Sequence, residues 1–378
     1  MYSNNMPTIP LSDPSRELDY INRYNSRLTR EVRSGNYIGG SNVQKLEEKL
    51  CSFLGVKFAL TLNSGTDALA CALYSLNIGS GDEVILPSFT YFATAEVVIN
   101  SGATPVFVDV EKESYCLSLN KIAPLVSSRT KCIIPVHLYG NDSDIEHIHT
   151  YCIKNKIHLV EDCAQSFGSK TNNGKFLGTF GNVNAFSTYP SKTLGGIGDG
   201  GFVVTNDEKI FKTIKKYKNH GQSASYDHEI SGINSRMDSI NAFTLFEKLK
   251  NFEKMKESRN NLTLFYNKVF DKFENIVNLN NSKNTLYNYY TIQLPPSKRD
   301  KIQKDLRKLN ISTFIYYSKP VHMQKALNNI NYLSDDLVNT NFLSKRVLSF
   351  PLFPYMKKNE KQHLENSIDK VFYKHGIK

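Results

Sequence analysis

Between residues 57 and 160 the chain alternates short apolar runs with longer amphipathic stretches, and few architectures accommodate that pattern. The runs at 57–62, 83–86, 104–108, 132–136 and 157–160 have the length of strands. Those at 67–76, 93–100, 119–125 and 142–154 have the length and spacing of helices. Strands that alternate with helices pair in parallel and are covered on both faces, so the expected fold is α/β, with a mostly parallel central sheet. Ligands of such a sheet gather at the carboxyl ends of its strands. Upstream, 15–34 reads as one helix, and 43–54 places Val43, Leu46, Leu50 and Leu54 on a single face. Downstream, 185–187 and 202–205 extend the sheet, 207–217 is helical, and the lysine-rich stretch 239–270 reads as one long helix leading into a second unit. That unit holds expected strands near 289–294 and 312–316 and expected helices near 297–309, 342–348 and 358–373. The division expected is a large domain over 1–245 and a smaller C-terminal α+β domain over 246–378.

Composition narrows the partners. With 40% apolar and 22% charged residues among 378, the chain is neither disordered nor fibrous. Its net charge of +11 is spread along the sequence without a dense basic block, which argues against nucleic acid and for an anionic small substrate such as a nucleotide diphosphate. The six cysteines form no CxxC pair, and His137, His220 and His322 lack metal-ligand spacing. Reduced thiols, no metal site and a cytoplasmic location are therefore expected. No basic segment leads into an apolar one at the start, and no run is long enough to span a bilayer.

Three short motifs fall at or just after expected strand ends. Asn63-Ser64-Gly65-Thr66-Asp67 opens a helix with small residues, which frees backbone N–H groups for a phosphate; a simple N-cap is the plainer reading. Asp162 ends a buried apolar strand, where a carboxylate needs a partner or suffers desolvation. A protonated ring nitrogen would serve, as would a turn that the Asp caps. Lys192 follows Ser187-Thr188-Tyr189-Pro190-Ser191, a rigid step flanked by hydroxyls, where a lysine amine can act covalently. A Schiff-base lysine, an acid for the pyridinium and a phosphate cradle are together what pyridoxal phosphate chemistry requires. The glycines at 196, 198 and 201 mimic a dinucleotide fingerprint, but they precede a strand instead of opening a helix, which argues against a Rossmann dehydrogenase. A Walker lysine motif is absent.

Longer segments carry a family resemblance. Tyr37-Ile38-Gly39-Gly40, Pro87-Ser88-Phe89-Thr90-Tyr91, Pro135-Val136-His137-Leu138-Tyr139-Gly140, Glu161-Asp162-Cys163-Ala164-Gln165-Ser166, Tyr189-Pro190-Ser191-Lys192 and Asn234-Ser235-Arg236-Met237-Asp238 are the clearest. The chain resembles the DegT/DnrJ/StrS family of pyridoxal phosphate-dependent sugar aminotransferases, of fold type I, over nearly its whole length. The resemblance implies that Lys192 binds the cofactor covalently, that Asp162 pairs with the pyridinium nitrogen and that Gln165 bonds the ring hydroxyl. It also implies that Tyr91 stacks on the ring and that Gly65, Thr66 and Ser187 hold the phosphate. Asn234 would reach the phosphate of a neighbouring subunit, so a homodimer with active sites at the subunit interface is implied. Glutamate would leave as 2-oxoglutarate, pyridoxamine phosphate would carry the amine, and a nucleotide-diphosphate keto-sugar would receive it.

Phe167, Tyr316 and Ser318 depart from the family's pattern at places expected near the sugar. His322 and Tyr316 are candidate substrate contacts. A lean towards 3-keto over 4-keto sugars comes from the segment around Asp162 and from His220-Gly221-Gln222. The alternatives are a sugar dehydratase, for which relatives carry histidine in place of the lysine, and a regulatory relative without turnover.

Overall fold

The computed structural model describes residues 7–274 and 276–378. In chain order the strands are β1 (Phe58–Leu62), β2 (Glu83–Pro87), β3 (Thr104–Val108), β4 (Thr130–Ile133), β5 (His158–Asp162), β6 (Val183–Ser187), β7 (Gly201–Thr205), β8 (Gln222–Ala224), β9 (Asp227–His228), β10 (Val277–Asn278), β11 (Tyr290–Gln293), β12 (Leu333–Ser334) and β13 (Val347–Phe350). The main sheet runs β1-β7-β6-β5-β4-β2-β3-β12. Only β7 runs against its neighbours; every other pairing is parallel. Strands β2 and β7 are buried along their whole length, which is why they read as continuous apolar runs and not as alternating ones.

One apolar core lies between this sheet and the helices Gly65–Ser75 and Ala93–Asn100, and others fill its remaining surface. The amphipathic helix Gly40–Leu54 turns Leu46, Leu50 and Leu54 inward, as its spacing requires. Each such side chain contributes about 2 kcal/mol on burial. A separate core forms around the antiparallel sheet β10-β11-β13 under the helices Phe252–Phe270, Pro296–Lys308 and Lys358–Lys374. Ile9 belongs to this second core and bridges to Ile311, so the beginning of the chain straps across to its C-terminal part.

Several sequence expectations need correction. The helix expected over 15–34 is two helices, Arg16–Asp19 and Tyr24–Arg33, broken where Arg23 takes a left-handed conformation at φ 54°. The long helix over 239–270 is also two, Ser239–Lys250 and Phe252–Phe270, separated by Asn251. The first packs into the core of the main sheet and the second mainly into the small core, and one straight helix cannot serve both. Residues 347–350, read partly as helix, form β13 instead. Their apolar run fits either period, and pairing with β11 decides it. Residues 312–316 form no strand, only a single bridge from Phe314 to Ser349. The two-residue β12 was too short to read.

Candidate functional site

The carboxyl ends of β1, β2, β5 and β6 converge on a cavity of about 360 Å³. Each brings a different chemical group, as an open parallel sheet dictates. After β1, Ser64 caps the helix Gly65–Ser75 by accepting from the Asp67 backbone N–H at 3.0 Å. The N-cap reading is therefore correct, yet the cap leaves first-turn N–H groups at Gly65 and Thr66 facing the cavity end of the helix, where an anion is favoured. Gly65 is needed for contact: a Cβ there would stand 2.7 Å from Ser187 Cβ. The cradle is thus the helix start pressed against the end of β6.

Asp162 closes β5 and is 5% exposed. Its Oδ2 accepts from Thr94 Oγ1 at 2.8 Å and its Oδ1 from the Ala164 backbone N–H at 3.1 Å. Burial pushes this carboxyl above the usual carboxylate range, and those two hydrogen bonds with the charge of Lys192 offset the rise only in part. A cationic N–H donor in the cavity is the partner such a group calls for. Gln165 is held at both ends, with Oε1 accepting from the Tyr139 backbone N–H at 2.9 Å and Nε2 donating to Tyr317 Oη at 3.1 Å.

Lys192 lies in a loop closed by hydrogen bonds from its own N–H to Tyr189 O, from Gly196 N to Thr188 O and from Thr188 N to Gly200 O. The glycines that follow let the chain fold back on this loop; a Cβ at Gly195 would lie 2.2 Å from Pro190 O. Gly201 then opens β7, which leads back into the sheet between β1 and β6.

Below Asp162, and fully buried, Glu161 accepts from His137 Nε2 at 3.0 Å and from the backbone N–H groups of Gly178, Phe180 and Gly181. Ser143 N–H donates to His137 Nδ1, which leaves the proton on Nε2 for Glu161. Cys163 Sγ lies near this pair, but the carboxylate and imidazole are already satisfied by protein donors, so the group is structural.

Of the residues singled out from sequence, Gly65, Thr66, Tyr91, Asp162, Gln165, Ser187, Lys192 and Tyr316 all line the one cavity. Tyr91 is 63% exposed, and its ring lies tilted against that of Tyr317 at a centroid distance of 6.3 Å. Asn234 is exposed and lies outside its own chain's cavity, although the adjacent Ser235 Oγ donates to Asp67 in the cradle helix at 2.7 Å. His322 does not line the cavity either; its Nδ1 meets Ser88 Oγ at 2.7 Å and anchors a turn to the end of β2. Phe167 is 3% exposed, stacks on Phe53 at 5.1 Å inside the apolar core and does not line the cavity. Tyr289 and Tyr317 line the cavity without having been singled out. They sit among aromatic residues whose sequence context is that of ordinary core.

The lining fits pyridoxal phosphate. A helix start suits the phosphate, a desolvated acid suits the pyridinium, and a lysine stands in the same cavity.

Comparison with known proteins agrees. Residues 19–369 match the model of the DegT/DnrJ/EryC1/StrS aminotransferase family. The chain is 36% identical over 332 residues to the UDP-N-acetyl-3-dehydro-alpha-D-glucosamine 3-aminotransferase of Acidithiobacillus ferrooxidans, covering 86% of this chain and 87% of that one. It is 32% identical over 372 residues to the pleiotropic regulatory protein of Geobacillus stearothermophilus, covering 97% and 99%. The crystal structure of S. venezuelae DesV in complex with a ketimine intermediate superposes with a TM-score of 0.90 at 30% identity, covering 96% and 98%.

Proposed function

This chain belongs to the DegT/DnrJ/EryC1/StrS aminotransferase family, and we propose that it moves an amino group from glutamate to a 3-keto sugar carried on a nucleotide diphosphate. The observation that carries the reading is the meeting of Lys192, Asp162 and the Gly65–Thr66 helix start in one cavity. Lys192 would hold pyridoxal phosphate through its ε-amine. Gly65, Thr66 and Ser187 would hold its phosphate, Gln165 its ring hydroxyl, and Tyr91 its open face. When bound, the cofactor supplies the electron sink for the pair left on the donor's α-carbon. Asp162 sustains that sink by keeping a proton on the ring nitrogen. Lys192, once displaced by the donor, would take the proton from the donor's α-carbon as base and give it up again as acid. The same residues then work in reverse on the keto-sugar.

A second cavity of about 570 Å³ shares Thr90, Tyr91, Tyr316 and Tyr317 with the first and carries Lys319 and Lys325. Aromatic faces beside two ammonium groups suit a base and a diphosphate, so the nucleotide is assigned there. Tyr316 stands between the two cavities and is the substrate contact we retain. The exposed Asn234, outside its own cavity, supports a homodimer in which each chain completes the other's site. We divide the chain into a cofactor domain and a small C-terminal domain, consistent with the separate core around β10-β11-β13. Six free cysteines support a reducing, cytoplasmic setting, and no helix among the described residues is long and apolar enough to cross a membrane. The name of the Acidithiobacillus relative supports the 3-keto position.

The test is spectroscopic. Purified protein loaded with pyridoxal phosphate should lose its visible absorbance on addition of glutamate and release 2-oxoglutarate, and a UDP-linked 3-keto sugar should restore it. An unchanged spectrum would overturn the proposal in favour of a regulatory protein without turnover, the reading that the Geobacillus relative's name raises. Release of hydroxyl from the sugar without use of glutamate would point to a dehydratase.

A further inference from the structure

The loop that carries Lys192 is tied to its surroundings at three of its residues. Ser191 Oγ lies 3.3 Å from Tyr289 Oη, Thr193 Oγ1 donates to Phe167 O at 3.0 Å, and Gly195 O accepts from Lys248 Nζ at 2.7 Å. The first two ties join neutral groups. The third comes from an ammonium that is wholly buried on the helix Ser239–Lys250. Two turns earlier on the same face of that helix, Asn241 accepts from Ile197 N–H at 3.0 Å and donates to Asp199 O at 2.8 Å, so one helix face holds the chain from 195 to 199.

The charge on Lys248 is met from the beginning of the chain. Glu17 Oε2, on the short helix Arg16–Asp19, stands 2.7 Å from Lys248 Nζ, and Glu17 is itself 3% exposed. The adjacent Arg16 donates through both terminal nitrogens to Glu360 at 2.6 Å, which fixes this short helix to the helix Lys358–Lys374. Packing does not explain the pair. An apolar side chain of similar length would fill the place of Lys248, and exchanging a buried ion pair for apolar groups is often neutral or stabilising. What the ammonium adds is direction, because it must meet one carbonyl and one carboxylate together, and a charged donor makes the shorter and stronger bond.

We propose that Lys248, held by Glu17, is a positioning residue for Lys192: by fixing the Gly195 carbonyl it sets the loop from which Lys192 reaches the cavity. The path between the two lysines is short. Gly196 N–H donates to Thr188 O and Lys192 N–H to Tyr189 O, at 2.8 Å each, so 188–196 is a closed loop with Lys192 inside it and Lys248 at its neck. Gly195 lies so close to Pro190 that a Cβ would come within 2.2 Å of the Pro190 carbonyl oxygen. A shift at the neck is therefore passed to the residues on the other side of Lys192.

The inference rests on the proposed role of Lys192, and the experiment keeps the two apart. The variant is the pair Glu17→Gln with Lys248→Met, which removes both charges at nearly constant volume, so the melting temperature should stay close to the parent's. In cofactor-free full-length protein, amide hydrogen exchange at Lys192 and Gly196 should quicken at least about tenfold, while that of β5 and β6 stays unchanged. In protein loaded with pyridoxal phosphate, the visible circular dichroism band should weaken. The rate of the glutamate half-reaction should fall about tenfold, with little change in the glutamate concentration that half-saturates it. Glu17→Gln alone keeps the shape of the side chain and should move each quantity in the same direction by less; it provides the reading if the paired variant does not fold. Unaltered exchange at the two amides would overturn the inference, as would faster exchange with unaltered rate and dichroism. A parent protein that does not react with glutamate would instead overturn the reading beneath it, whatever the exchange shows.

Discussion

Thr94 and Asp162, both buried, meet through a hydrogen bond of 2.8 Å between Oγ1 and Oδ2 in the cavity wall. Thr94 lies in the helix that follows β2, while Asp162 ends β5. The contact fixes which way the carboxylate points, because the Ala164 N–H occupies its other oxygen. A group fixed and desolvated in this way is costly unless a cation is brought to it.

Asp162→Asn should therefore separate folding from chemistry. The amide can still accept from Thr94 and keeps nearly the same volume, so the fold should persist. On the proposed reading amino transfer should fall by more than about 100-fold, because the ring nitrogen would lose the anion that keeps it protonated. Single-turnover rates with glutamate, alongside circular dichroism, measure the two effects independently. Thr94→Val should give a smaller loss of rate in the same direction.

The adjacent carboxyls Glu161 and Asp162 should show opposite dependence of stability on pH in the cofactor-free protein. Asp162 is raised above 3.8 by burial, so its contribution is fully present below 3.8 and is lost as pH rises through its folded value. Burial, the largest influence on Glu161, raises it too, but the His137 hydrogen bond and the Gly181 and Gly178 N–H groups outweigh this and hold it below 4.5. Its contribution is present above 4.5 and is lost as pH falls through the lowered value. Thermal melting across this range should show Asp162→Asn gaining on the parent protein towards neutral pH. Glu161→Gln should lose about 3 kcal/mol at neutral pH and less in acid. Parallel curves for the two variants would contradict the assignment.

Gly65→Ala should weaken cofactor binding more than it weakens the fold. The added methyl would sit 2.7 Å from Ser187 Cβ, pushing the helix start away from the end of β6. Overpacking of this kind costs about 1–3 kcal/mol. If the displaced groups are the phosphate cradle, titration with pyridoxal phosphate should show about a tenfold or greater rise in Kd, with a melting temperature only modestly lowered.

Lys192→Ala should bind pyridoxal phosphate without the visible absorbance of a covalent adduct and should release no 2-oxoglutarate from glutamate. Restoration of activity by an added small primary amine would show that the missing group is the amine itself. Absorbance like that of the unaltered protein would mean that another lysine carries the link.

The alternation of strand and helix over 57–160, the amphipathic face of Gly40–Leu54 and the motifs at Ser64, Asp162 and Lys192 were legible because each is a local property of a few neighbouring residues. Parallel strands oblige their carboxyl ends to face one way, so motifs at successive strand ends had to meet. Where reading failed, two local choices were nearly equal. Residues 347–350 suit either period until β11 pairs with them, and the break at Asn251 exists because the helices on either side serve different cores.

The sequence by itself determined the sheet, the edge at which the site forms and the residue types that make the chemistry possible. Only the tertiary structure decided which aromatics are core and which are wall. Phe167 went into the apolar interior although its position suggested the substrate. Tyr289, unmarked in a run of aromatics, came to rest beside Ser191 from 98 positions away. Such contacts depend on how two separately packed cores meet, and no periodicity or capping signal within either segment records that.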